Sequence, residues 1–266
     1  MSPKPNIPVK ARPLAAGTSR KRLAPYFALD RFSPMEIILR RHWTKLNLAA
    51  ESGDPEAQRE VGYYYEFGAK DRSGNVLATA SLATAMKWYQ ASATQGNSGA
   101  QSALSTILSS GGEIAQDFPR AIHWAKRAVA QGDSSAAFNL GTIYRDLGKP
   151  KLAFRWYQRA GTMGDTDAFL QIGLCYLFGF GTEQDFDSAL SAFGRIIASD
   201  PATSCQRSKE NARYWISVLR LIRGPRTKTA IAQVRSLLEI ANADDDHEQA
   251  NELLNLIGKN CYLHAV

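Results

Sequence analysis

The sequence predicts an all-α fold: antiparallel helix pairs stacked as a solenoid behind a flexible N-terminal arm. Three observations carry this. Residues 133–164 form a two-helix unit, with Ala136, Leu140, Gly141 and Tyr144 on one stripe and Ala153, Trp156, Tyr157 and Ala160 on the other, at spacings of three and four. The unit recurs. Ala57-x-x-x-Val61-Gly62-x-x-Tyr65, Ala100-x-x-x-Leu104-Ser105-x-x-Leu108 and Ala168-x-x-x-Ile172-Gly173-x-x-Tyr176 repeat its first helix, and Ala85-x-x-Trp88-Tyr89, Ala121-x-x-Trp124 and Ala189-x-x-Ala192-Phe193 repeat its second. A pair this small cannot bury both stripes alone, so stacking on like neighbours is required. Third, the charge is lopsided: of a net +7, residues 1–31 carry +6, which leaves +1 for the rest.

Residues 1–32 read as a flexible, basic, Pro-rich arm with Arg20-Lys21-Arg22 as its dense cluster, because little apolar surface offsets the entropy of ordering it. Order is expected from Ser33, where Ser33-Pro34-Met35-Glu36 has the form of a capping box opening a helix to about Ser52. Residues 33–53 would be a capping half-repeat of a single solenoid spanning 33–266. Full repeats are expected at 54–96, 97–132, 133–164 and 165–204. In the first repeat, Ala69–Leu82 holds seven extra residues and should project as a loop. Gly148-Lys149-Pro150 makes the tight turn of the third. Ser81, Asp117 and Asp185 are N-cap candidates for the second helices; Gly96, Gly132 and Gly164 end them, and Asn97, Asp133 and Asp165 start the next. Residues 205–266 look like a degenerate pair plus a capping helix, carrying Ala212, Ile216, Val234, Leu238, Ala250 and Ile257. Gly62, Gly141 and Gly173 lie inside helices, where each costs ~1 kcal/mol against Ala; an aromatic ring of the paired helix lying over the missing Cβ would compensate.

At these residues the chain resembles the Sel1-like repeat family, relatives of tetratricopeptide repeats. Ala168, Ile172, Gly173, Tyr176, Gly179, Gly181, Asp185 and Ala189 of the fourth repeat match its pattern, as do Trp88, Tyr89, Ala93 and Gly96 of the first. Ser105, Leu108 and Lys149 depart from it. The resemblance implies a right-handed superhelix with a concave groove that holds proteins. Carried over by register, the groove residues are Arg59, Tyr63, Ser102, Thr106, Phe138, Thr142, Arg145, Leu170, Leu174, Leu177 and Tyr214, polar at one end and apolar at the other. The alternative for Phe138, Leu170 and Leu174 is simple packing between repeats.

His42, His123, His247 and His264 lack partners at metal-ligand spacing, Gly179-Phe180-Gly181 has no following Lys-Ser/Thr, and no Gly-x-Ser-x-Gly is present. The expectation is therefore a protein without catalytic residues, cofactor or metal. Cys175, Cys205 and Cys261 show no paired spacing, and no stretch nears the ~20 apolar residues of a membrane span. This favours a reducing, cytoplasmic compartment. The functional expectation is an adaptor, or an inhibitor of immunity type, holding a protein or peptide. Nucleic-acid or anionic-surface binding through the arm is the second reading, with a solvated tail as its bland counterpart.

Overall fold

The computed structural model describes residues 36–37, 40–200, 204–225, 227–242 and 247–258. The arm, Cys261, His264 and Asp244–Asp246 lie outside them. Among the described residues are twelve helices. α1 (Arg40–Glu51) precedes the pairs α2 (Pro55–Phe67)/α3 (Leu82–Thr94), α4 (Ser98–Ser110)/α5 (Phe118–Ala130), α6 (Ser134–Asp146)/α7 (Pro150–Thr162) and α8 (Ala168–Phe178)/α9 (Phe186–Ala198). α10 (Gln206–Arg223), α11 (Lys228–Ala241) and α12 (Glu248–Gly258) follow. Each helix packs on its chain neighbours, which makes an all-α solenoid.

The helix boundaries follow from capping. The side chains of Asp54, Asn97 and Asp133 accept the backbone N–H groups of Ala57, Ala100 and Ala136 at 2.7, 2.9 and 2.9 Å. Asp117 accepts from Arg120 at 3.0 Å and Asp185 from Ser188 at 3.2 Å. Each satisfies a donor that the first helical turn leaves unpaired. The exits use a left-handed residue, with Gly96, Gly132 and Gly164 at φ near +100°. Asp165 also caps, accepting from Ala168 at 3.0 Å.

The interior glycines admit the partner helix as expected. A Cβ on Gly62 would stand 2.8 Å from the Tyr89 ring, on Gly141 2.5 Å from Tyr157, and on Gly173 2.3 Å from Phe193. Gly179 and Gly181 form the α8–α9 turn, and a Cβ on Gly181 would strike the Pro150 carbonyl oxygen.

Two expectations are corrected. The insertion does not project as a loop. It forms β2 (Ala69–Lys70) and β3 (Val76–Ala78), paired antiparallel, with Ala69 and Ala78 buried against Val61 and Tyr64 of α2. Nor does the expected helix run through Glu36 and Ile37, while Ser33, Pro34 and Met35 of the capping box lie outside the described residues. Glu36–Ile37 is a strand, β1, running parallel to β2 with Glu36 opposite Ala69, and α1 begins only at Arg40. A ladder to the insertion satisfies backbone groups that the capping box would have committed to a helix.

Candidate partner-binding groove

The packing places the first helices of the pairs on the inside of the curve. α4 packs directly on α6, and α10 on α8, skipping the helix between; no two second helices approach one another to that extent. In a two-layer array the layer whose members lie closer together is the concave one. The contacts of α4 with α6 and of α8 with α10 make the first helices, α2, α4, α6 and α8 among them, the candidate lining of a groove.

From α2 to α4 the groove is polar and tied together. Arg59 donates to Glu56 from Nε at 2.9 Å, Asn97 donates to the other Glu56 oxygen at 2.6 Å, and the Arg59 stem lies against Gly99 of α4. The hydrogen bond to Arg59 holds the Glu56 carboxyl below its usual range. Tyr63 packs against Phe67, with ring centroids 4.9 Å apart and the rings tilted by 50°. Ser102 and Thr106 are half-buried on α4. Further on, Asn139 of α6 donates to Ser105 at 2.8 Å.

Phe138, Thr142 and Arg145 stand on one stripe of α6, gathered around Tyr157 of α7. The Phe138 ring centroid is 5.5 Å from that of Tyr157, and Thr142 Oγ1 is 3.5 Å from its hydroxyl. Arg145 pairs with Asp146 at 3.0 Å. At α8 the surface becomes apolar. Leu174 is half-buried there, but Leu170 and Leu177 are 8% and 6% exposed, so both pack within the array. Tyr214 does not join the groove residues. Its ring centroid lies 5.1 Å from that of His247, and it packs on the cluster of Val234, Leu238 and Ala250.

Sequence reasoning missed Phe178, the last residue of α8. It is 61% exposed, and its ring meets Trp215 of α10 edge-on at 5.5 Å. Lying beyond the alanine–glycine–tyrosine signature, it has no repeat position to flag it. A second feature was also missed. Gln58 and Gln101 each donate to a carbonyl of the preceding helix, Ala50 or Ala93, both at 3.1 Å, and each accepts from the glutamine ending its own pair, Gln95 or Gln131. This ladder ties neighbouring pairs together at the start of the array. At the third and fourth repeats the same position holds Ala137 and Phe169.

Burial pushes the Cys175 thiol up to about 12, against the opposing pull of Arg145, so it packs as a neutral group. His42 bonds Glu60 at 3.4 Å, His123 lies edge-on to Trp124, and His247 accepts from the Ala250 N–H. Among the described residues no cluster of three or more His, Cys, Asp or Glu could hold a metal ion, and no helix is long and apolar enough to cross a membrane.

Comparison with known proteins bears on the whole array. Comparison with curated proteins gives no match. Among solved structures, the chain is similar to c5321, a protective antigen of uropathogenic Escherichia coli strains displaying an SLR fold, at 25% identity and a TM-score of 0.68. That match covers 82% of this chain and 44% of the other, so the chain spans less than half the length of that antigen. A Sel1 repeat protein from Oxalobacter formigenes shares the fold at 22% identity, with a TM-score of 0.63 and coverage of 82% and 81%. The family model for the Sel1 repeat matches four times in succession, at residues 55–97, 98–133, 134–165 and 168–191. These matches span more than half of the chain and coincide with the four helix pairs from α2 to α9: the chain belongs to the Sel1 repeat family, whose members are in general protein–protein interaction modules.

Proposed function

We propose that the groove holds a segment of a partner protein whose polar end lies over α2 and α4 and whose apolar end lies over α8. The observation that supports this is the gradient itself. Glu56, Arg59 and Asn97 form a bonded polar network at one end, and Phe178 stands 61% exposed against Trp215 at the other. A large ring left in water at the mouth of a groove is the kind of anchor that carries binding energy. The role is that of an adaptor or an inhibitor, immunity-type proteins included. Cys175, buried as a neutral thiol, fits a reducing, cytoplasmic setting.

The test uses the partner recovered from native lysate, with single alanine substitutions at Tyr63, Phe138, Arg145, Leu174 and Phe178. At least one should cost more than ~1 kcal/mol of binding while melting temperature holds. Should all five bind like the parent, and only deletion of residues 1–31 release the partner, the arm is the binding element and the groove reading fails.

A further inference from the structure

The net +1 of residues 32–266 hides a separation of charge between the two layers. The groove helices α4 and α8 carry no charged residue at all. In the outer layer, α5 and α7 carry three basic residues each and no acidic one. Lys126 and Arg127 of α5 and Lys151, Arg155 and Arg159 of α7 are exposed and make no ion pair among the described residues. Beside them a cleft of about 300 Å³ opens between α7 and α9. Phe169, Ile172 and Tyr176 of α8 floor it, and Thr162, Ser191 and Arg195 stand at its walls. The Arg195 guanidinium lies 3.8 Å from the Phe169 ring centroid, which holds it at the cleft with no carboxylate facing it among the described residues.

We propose that this outer face is a second interface, independent of the groove, and that its occupant is an acidic polypeptide segment. Carboxylates of that segment lie over the α5–α7 cations, and one apolar side chain enters the cleft with a carboxylate paired to Arg195. Uncompensated like charge on adjacent helices repels itself, and an anionic partner relieves that repulsion. Shape decides against nucleic acid. A duplex is convex and touches a convex face along a line only. A single strand needs stacking platforms, yet Trp124, Phe154 and Tyr157 are turned into the core and Trp156 is half-buried. A flexible acidic chain can follow a convex surface, and the apolar floor gives it a seat.

The probe is a fluorescein-labelled Glu-rich peptide with interspersed Phe, titrated by anisotropy. The arm is also basic, so the parent is the full chain carrying Arg20→Ser, Lys21→Ser and Arg22→Ser. Saturable binding that weakens with added salt is expected. Arg155→Glu with Arg159→Glu should lower affinity by about tenfold or more, and Arg195→Gln should lower it by a few-fold. Phe138→Ala with Leu174→Ala should leave it unchanged, which separates this face from the groove. Circular dichroism of each variant should match the parent. Absence of saturable binding, or binding indifferent to the α7 reversal, overturns the proposal. Tighter binding of a single-stranded oligonucleotide of equal charge through the same arginines overturns the assignment of a polypeptide.

Discussion

Gly173 and Gly194 sit in the same helix pair, and their surroundings differ sharply. A Cβ on Gly173 would stand 2.3 Å from Phe193 Cε1, whereas on Gly194 it would meet nothing within 4 Å. Gly173→Ala should therefore destabilise by ~1–3 kcal/mol as the Phe193 ring is displaced. Gly194→Ala should stabilise by ~0.5–1 kcal/mol, since it gains helix propensity at no steric cost. Urea unfolding of the two variants reads both signs, and a matching shift in both would sink the packing account. Asp165 gives a pH signature at the same scale. Burial first, then the neighbouring Asp167, pushes its carboxyl up from 3.8 to about 6, although the Ala168 N–H opposes this. A raised folded value means that the folded state holds a proton the unfolded chain has lost between those two pH values. The stabilisation is full below pH ~4 and is lost as pH rises through ~6. Asp165→Asn keeps an acceptor for Ala168 without the buried charge. Its melting temperature should exceed the parent's at pH 7, by an energy of at most ~3 kcal/mol, and should match it near pH 4. An equal gain at both pH values would assign the effect to something other than ionisation.

Among the elements, the β1–β3 sheet depends on one side chain. Asp71 accepts the N–H groups of Ser73 and Asn75, each at 2.9 Å, and pairs with Arg40 of α1 at 3.3 Å. These bonds, that from the Asn75 side chain foremost, hold its carboxyl below the usual range. Asp71→Ala should speed amide exchange through Val76–Ala78 and leave α4–α9 unchanged; unaltered exchange there would show that strand pairing alone suffices. The sheet also shows why the sequence was legible in one part and opaque in another. Most helices of the repeats announce themselves more than once, through a stripe, a cap or an exit glycine, and four copies average out the departures at Ser105 and Lys149. Strands of two or three residues have no room for an alternating pattern, and β1 pairs with a segment far along the chain. Ser33–Glu36 reads as a capping box whether or not that partner exists. The groove was half legible for a related reason. Register puts Phe138, Thr142 and Arg145 on one stripe, and the structure gathers that stripe around Tyr157. Register failed at Tyr214, where the pattern has decayed and α11 and α12 claim the ring. The basic outer face was hidden because charge separation becomes visible only once each helix has been assigned to a layer.

Across the whole molecule the core is not one mass but a succession of overlapping clusters, each spanning adjacent helices. Residues from Ala153 to Leu219 form one, and those from Ala85 to Ile143 another. At the C-terminal end Val234, Leu238, Ala241, Ala250 and Ile257 form a separate cluster, joined to α10 through Tyr214 and Leu221. Stability in such an array is close to a sum of unit and nearest-neighbour contributions, so a lesion at one end is felt mainly there. Leu238 is fully buried in the terminal cluster. Leu238→Ala should cost ~2–5 kcal/mol locally. Hydrogen exchange should then show α11 and α12 losing protection, α10 losing part of its own, and α2–α7 keeping the parent's rates. The groove from Arg59 to Arg145 would remain intact in that variant, so partner binding through those helices should survive a damaged C-terminal end. If exchange instead accelerates uniformly from α2 to α12, the chain unfolds as one cooperative block. The segmented clusters would then mark geometry without marking independent stability.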